Sequence, residues 1–210
     1  GLKVVMPTTP HDAKGLLISS IQDDNPVIFL EHRWLHNISG HVSTDCFSER
    51  IGKARIMSAG NDITIVSLSY MSLEAQRAAE LLRAEGIGAQ VIDLRSVRPW
   101  DQDAVVGSVQ KTGRLVVVDT SWSSFGVSAE IVASVCERAH AYLKSPPVRV
   151  GLPDCPSPTS PALAQHFYPR AGHIVCAVKA SLGVTCNGNE LDIGEGIHLD
   201  VPDSSFAGPF

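Results

Sequence analysis

Ile63-Thr-Ile-Val-Ser-Leu68 is a β-branched run, and the residues after it decide the fold. Met71, Ala75, Ala78 and Leu82 recur at i, i+4, i+7 and i+11, one face of a helix, and Gly86 stands where that helix ends. Ala89 to Leu94 reads as the next strand, and Asp101 to Val109 as a helix with Asp101 as its N-cap. Arg114 to Val118 is a strand apolar enough to be buried on both faces. Ser128 to Leu143 predicts a long helix, Val148 to Val150 a short strand and Ile174 to Leu182 a closing amphipathic helix. Strands alternating with helices at this spacing are joined by right-handed crossovers. Residues 62–186 are therefore expected to form a three-layer α/β/α domain on a mainly parallel sheet.

On the N-terminal side, Leu2 to Met6 and Val27 to Leu30 read as strands around Asp12 to Ile21, where Ala13, Leu16, Leu17 and Ile21 share a helix face. Pro10 and Asp12 mark the start of that helix, and Asp24-Asn25-Pro26 its stop. A strand-helix-strand unit of about 35 residues buries too little surface to stand alone, so residues 1–35 predict part of a second α/β domain. The start at Gly1, straight into a strand and without an initiator methionine, reads as a cut through that domain. Residues 36–61 are polar and carry Gly40, Gly52 and Gly60, with a strand-like piece at Ile51 to Met57, and are expected to be a linker. Residues 187–210 hold no sustained period and are expected to be an irregular tail.

Composition narrows the partners. Of 210 residues, 44% are hydrophobic, enough for a core, while the net charge of −5 leaves no basic excess to hold a phosphate backbone. Nucleic acid is not an expected partner. The longest apolar runs, such as Leu115 to Val118, fall far short of the roughly 20 residues that span a bilayer, so no membrane partner is expected either. Cys46, Cys136, Cys155, Cys176 and Cys186 are odd in number and widely spaced, without a C-x-x-C pair, which predicts reduced thiols in a cytoplasmic protein.

Gly86-Ile-Gly88 follows a helix and precedes a strand, the reverse of a dinucleotide fingerprint, and reads as a helix C-cap. The loop Ser121 to Gly126 could offer N–H groups to an anion, but the favoured reading has Ser123 or Ser124 capping the next helix and Phe125 packing on the sheet. No G-x-S-x-G surrounds Ser128. His32 and His36 are spaced i, i+4 but lack the glutamate of H-E-x-x-H, a weak metal signal. Glu31, His32 and Arg33 stand just past the carboxyl end of a strand, where open α/β sheets receive ligands. They could orient an anionic substrate or make a subunit contact. Asp93 to Asp101 is the densest polar stretch, expected to be a loop braced by Asp93 pairing with Arg95 or Arg98 and placed to meet a partner.

Val91-Ile-Asp-Leu-Arg-Ser-Val-Arg-Pro-Trp-Asp101, Val109-Gln-Lys-Thr-Gly-Arg-Leu-Val-Val-Val-Asp119 and Phe125-Gly-Val-Ser-Ala-Glu-Ile131 closely resemble the carboxyl-terminal domain of the beta subunit of thiamine-diphosphate-dependent 2-oxo acid dehydrogenases, within the transketolase-like superfamily. Gly1 to Leu17 and Asn25 to Glu31 resemble the second half of that subunit's pyrimidine-binding domain. The resemblance implies an oxidoreductase that, when intact, decarboxylates a 2-oxo acid and passes the acyl group to a lipoyl carrier. It implies thiamine diphosphate and magnesium as cofactors, the diphosphate and magnesium held by an alpha subunit and the aminopyrimidine ring by a glutamate that, with a catalytic histidine, would precede Gly1. The chain is thus expected to hold no catalytic or cofactor-binding residue, to be inactive alone and to serve subunit assembly.

The same resemblance implies a structural potassium at Ser20, Asp23 and Asn25. It makes His32 or Arg33 a substrate-side candidate and gives the loop holding Trp122 a role in subunit contacts, while Asp93, Arg95 and Arg98 are structural or interface candidates from their own stretch. The implied partners are the alpha subunit, a second beta copy and the dihydrolipoyl acyltransferase core, in the cytoplasm or, in a eukaryote, the mitochondrial matrix. Two alternatives stay open: a transketolase-like or deoxyxylulose-phosphate-synthase-like enzyme acting on sugar phosphates, and a non-catalytic interaction module.

Overall fold

Residues 1–164, 167–186 and 201–202 are described in the computed structural model, where they form two sheets. The chain opens with β1 (Lys3–Val5), α1 (Pro10–Ile21) and β2 (Val27–Phe29), followed by a 3-10 turn at Arg33–Leu35. β1 and β2 pair in parallel, as a strand-helix-strand unit requires. The main body continues as β3 (Arg55–Ser58), β4 (Ile63–Ser67), α2 (Tyr70–Ala84), β5 (Ala89–Asp93), β6 (Ser96–Arg98), α3 (Gln102–Thr112), β7 (Leu115–Trp122) and α4 (Val127–Ala139). A second 3-10 turn, β8 (Val148–Leu152), a single turn α5 (Pro161–Ala164) and α6 (Ala171–Leu182) complete it.

The larger sheet has the order β3-β5-β4-β7-β8, with β5, β4, β7 and β8 parallel and β3 antiparallel at one edge. Every residue of β4 and β5 is buried, because helices cover both faces. Side chains alternate across a strand, and the two cores show it. Ile65 packs with Met71, Ala78 and Ile174 of α2 and α6, whereas its neighbour Val66 packs with Val105, Val109 and Ile131 of α3 and α4. This is the expected three-layer arrangement.

Three features depart from the sequence-based expectation. Residues 36–61 do not pass as a plain linker: Arg55–Ser58 pairs with β5 as an edge strand. Ser96–Arg98, in a stretch expected to be loop, is a strand that pairs antiparallel with β1 and completes a sheet of order β2-β1-β6, so the first unit is stitched to the main domain. Cys176 and Cys186 form a disulfide, against the expectation of reduced thiols, while Cys46, Cys136 and Cys155 are free. The turn at Gly183, whose φ is +73°, brings the chain back beside α6 and makes that pairing reachable.

Asp101 caps α3 by accepting the Ala104 N–H at 3.3 Å, and Gly113 ends that helix at φ 76°. Of the tail expected at 187–210, only Val201 and Pro202 lie among the described residues. No helix among those residues is long and apolar enough to cross a membrane.

Candidate functional site

Strand order reverses direction at β4: the chain moves from β4 to β5 on one side, then crosses to β7 and β8 on the other. Connections splay apart at such a switch point and leave a crevice at the carboxyl ends of the strands. A cavity of about 380 Å³ opens there, walled by Tyr70 and Met71 after β4, Thr120 of β7, Leu152 of β8 and Tyr168. Glu31, His32, Arg33 and Trp34, leaving β2, form its remaining wall, so the first unit and the main domain both contribute.

His32 is the polar group set most firmly in this wall. Its Nδ1 accepts the Trp34 N–H at 3.3 Å, its ring stacks on Tyr70 at 5.3 Å, and Trp34 meets Tyr70 edge-on at 5.0 Å. Burial, and then the neighbouring His36, push its pKa below the ordinary 6.5. The ring is therefore neutral, with Nε2 as its N–H donor. Arg33 lines the same cavity and is exposed.

Beneath the aromatic wall lies a charged node. Glu74, 1% exposed, accepts the Tyr70 hydroxyl at 2.6 Å, Arg77 at 2.8 Å and the Ala171 N–H at 2.8 Å, with Arg170 Nε at 3.4 Å. The Arg170 guanidinium sits 5.6 Å over Trp34 and 5.7 Å over Tyr70, and its Nη atoms donate to the carbonyls of Val201 and Pro202. Burial, chiefly, raises the Tyr70 pKa, so its hydroxyl stays protonated and donates. The node rigidifies the crevice floor; it presents no free base or nucleophile. Sequence reasoning missed it, although one signal was present: Glu74 interrupts the apolar stripe of Met71, Ala75 and Ala78.

The other sequence-derived residues fall elsewhere. Arg95 does not pair with the Asp93 carboxylate through its side chain; only its backbone N–H reaches Asp93 Oδ1, at 3.1 Å. Its guanidinium instead spans to Asp12 of α1 at 2.8 Å, Glu49 at 2.9 Å and the Lys53 carbonyl. Arg98 is exposed on β6 beside a groove lined by Trp100 and Val127. Trp122 is half exposed at the end of β7, and Phe125 is fully exposed rather than packed on the sheet. Neither Ser123 nor Ser124 caps α4. Asp119 does so from β7, its Oδ2 accepting the Ser128 N–H at 3.0 Å while Oδ1 takes Ser121.

Metal-site expectations meet filled donors. Asp23 Oδ2 pairs with Lys3, and its Oδ1 accepts both N–H groups of Asn25, while Ser20 Oγ donates to Leu16 O at 2.7 Å. These side chains are thus engaged within the chain. His32 and His36 cap the two ends of the 3-10 turn. Among the described residues, the grouping of His11, Asp12 and Glu49 could converge on a metal, but Arg95 and Arg55 already hold its carboxylates. A magnesium diphosphate needs an open carboxylate set, so these residues do not fit it.

A three-layer α/β domain with a crevice at the switch point of its parallel strands is the class that fold and site define. The chain belongs to the transketolase C-terminal domain family, whose model matches residues 52–174. It is 41% identical over 182 residues to the beta subunit of acetoin:2,6-dichlorophenolindophenol oxidoreductase from Cupriavidus necator, covering 87% of this chain and 54% of that protein. It is 43% identical over 163 residues to the pyruvate dehydrogenase E1 component subunit beta of Bacillus subtilis, covering 77% of this chain and 50% of that protein. A solved structure, "Split gene transketolase, inactive beta4 tetramer", superposes with a TM-score of 0.71 at 27% identity, over 88% of this chain and 58% of that one. The chain thus spans about half the length of the curated relatives it matches.

Proposed function

We propose that the chain is the carboxyl-terminal part of the beta component of a thiamine-diphosphate-dependent 2-oxo acid dehydrogenase. The observation that carries this reading is the reach of the similarity: 182 aligned residues at 41% identity extend beyond the 52–174 match into the first unit. A sugar-phosphate enzyme has weaker support, at 27% identity. In the intact enzyme a 2-oxo acid would be decarboxylated and its acyl group passed to a lipoyl carrier, with thiamine diphosphate supplying the electron sink. The alpha subunit would hold the diphosphate and magnesium.

This chain's own residues would shape and steer. Arg33 and the Nε2–H of His32 would attract and orient an anionic substrate at the crevice rim, while Trp34, Tyr70 and Tyr168 exclude water from its walls. Arg98, Trp122 and the exposed Phe125 would meet the alpha subunit, a second beta copy or the acyltransferase core, in the cytoplasm or mitochondrial matrix.

The test combines the complete beta polypeptide with its alpha partner, thiamine diphosphate and magnesium, and follows dye reduction with 2-oxo acids, acetoin and ketose phosphates. Turnover of a 2-oxo acid is expected. Turnover confined to acetoin or to ketose phosphates would overturn the reading.

A further inference from the structure

Among the described residues, the buried side-chain oxygens without a hydrogen-bond partner include Ser69 Oγ, Ser72 Oγ and Asp93 Oδ2, apart from Ser128 Oγ at the start of α4. All three residues are 0% exposed. They lie where separate connections meet, Ser69 and Ser72 at the start of α2 and Asp93 at the end of β5, with Thr8 arriving from the turn before α1.

Thr8 donates its hydroxyl proton to the Ser69 carbonyl at 3.1 Å, and the Ser72 N–H goes to the same carbonyl at 2.9 Å. Asp93 Oδ1 takes the Arg95 N–H. The Thr8 and Ser72 hydroxyls stand near enough to favour a charged Asp93, yet neither completes a bond to Oδ2. The Arg95 guanidinium, the nearest cation in sequence, is committed to Asp12, Glu49 and Lys53 O. Asp93 is left with a buried carboxylate and no cationic side chain. Native structures rarely leave such a group without a partner, because burying an unpaired charge is costly.

We propose that a small monovalent cation, potassium or sodium, binds between Asp93 Oδ2, Ser72 Oγ and Thr8 Oγ1, with Ser69 Oγ at its edge. The donors are all oxygen, the set preferred by hard cations. One carboxylate among neutral hydroxyls matches one positive charge, whereas a divalent ion would leave net charge buried. Burial lifts the Asp93 pKa to about 6, so the carboxylate is ionised and able to bind at pH 7.5. The ion would clamp Thr8 of the first unit to α2 and β5 of the main domain. It is separate from Ser20, Asp23 and Asn25, whose side chains are already engaged.

Thermal unfolding of the 210-residue chain at pH 7.5 and constant ionic strength, with choline chloride replaced stepwise by potassium or sodium chloride, tests this. The expected result is a saturable rise in midpoint of roughly 3–6 °C. The rise should vanish in Asp93→Asn, need a higher ion concentration in the milder Ser72→Ala, and persist in Asp23→Asn. Crystals soaked in thallium(I) should show an anomalous peak beside Asp93 Oδ2. Equal midpoints in choline and alkali chlorides, an undiminished rise in Asp93→Asn, its loss in Asp23→Asn, or a site holding only water would each overturn the proposal.

Discussion

Glu74 Oε2, on α2, accepts the backbone N–H of Ala171 at 2.8 Å and so caps the first turn of α6 with a buried charge. The same carboxylate answers Arg170, Arg77 and Tyr70, which places the floor of the crevice on one residue. Glu74→Ala would remove a buried carboxylate that answers Arg77 and Tyr70 and orphan a helix N–H, a loss of about 3–5 kcal/mol. Glu74→Gln keeps an acceptor for Ala171 and should cost less. Urea unfolding of the two variants checks the order; equal stability of Glu74→Ala and wild type would contradict it.

Arg95 joins the first unit to the main domain through Asp12 and Glu49. Arg95→Lys keeps the charge but loses the fork that reaches both carboxylates and Lys53 O, and should destabilise by about 2–3 kcal/mol. Burial alone would raise the Asp12 pKa, but the Thr9 hydroxyl and the Arg95 guanidinium outweigh it and hold the value below 3.8. A carboxylate depressed in the folded state stabilises above its unfolded value, and that stability is lost as pH falls through the folded value. Acid unfolding should therefore set in below pH 3.8 with a contribution from Asp12 that Asp12→Asn removes, measured as a flatter stability profile in that range.

Asp119 caps α4 across nine residues of chain, and Gly126 leaves room for it: a methyl at Gly126 would overlap Ser121 Oγ and the Trp122 carbonyl. Asp119→Ala is predicted to cost about 1–2 kcal/mol, and Gly126→Ala to destabilise as well. Ser124→Ala, at an exposed position, should be near neutral. A Ser124→Ala loss as large as that of Asp119→Ala would restore the serine cap.

The disulfide sets a simple count. Denatured, unreduced chain should react with a thiol reagent at Cys46, Cys136 and Cys155 alone, and the two remaining thiols should appear after reduction. Peptide mapping that finds Cys176 and Cys186 labelled before reduction would contradict the pairing.

Period made the three-layer body legible. Met71, Ala75 and Ala78 keep helical spacing, and Ile63 to Ser67 keeps a buried strand, because each element's core face is set by local geometry. Ser96–Arg98 carries no such period, since it owes its strand conformation to pairing with β1 some ninety residues earlier in the chain. The Asp119 cap and the Cys176–Cys186 pair are likewise contacts that close only after folding. Arg95 and Phe125 adopt φ of 57° and 58°, conformations that nothing in their residue types announces, and these turns aim Arg95 away from Asp93 and Phe125 into solvent. At the site, His32 and Arg33 were legible from their place after a strand, whereas Trp34, Tyr70 and Glu74 became site residues only when two units met.

The claim that these residues build the crevice and subunit surface, while the cofactor is held elsewhere in the assembly, meets its most direct test in calorimetric titration of the 210-residue chain with thiamine diphosphate and magnesium. The predicted result is no saturable heat. One-to-one binding in the micromolar range would contradict the account.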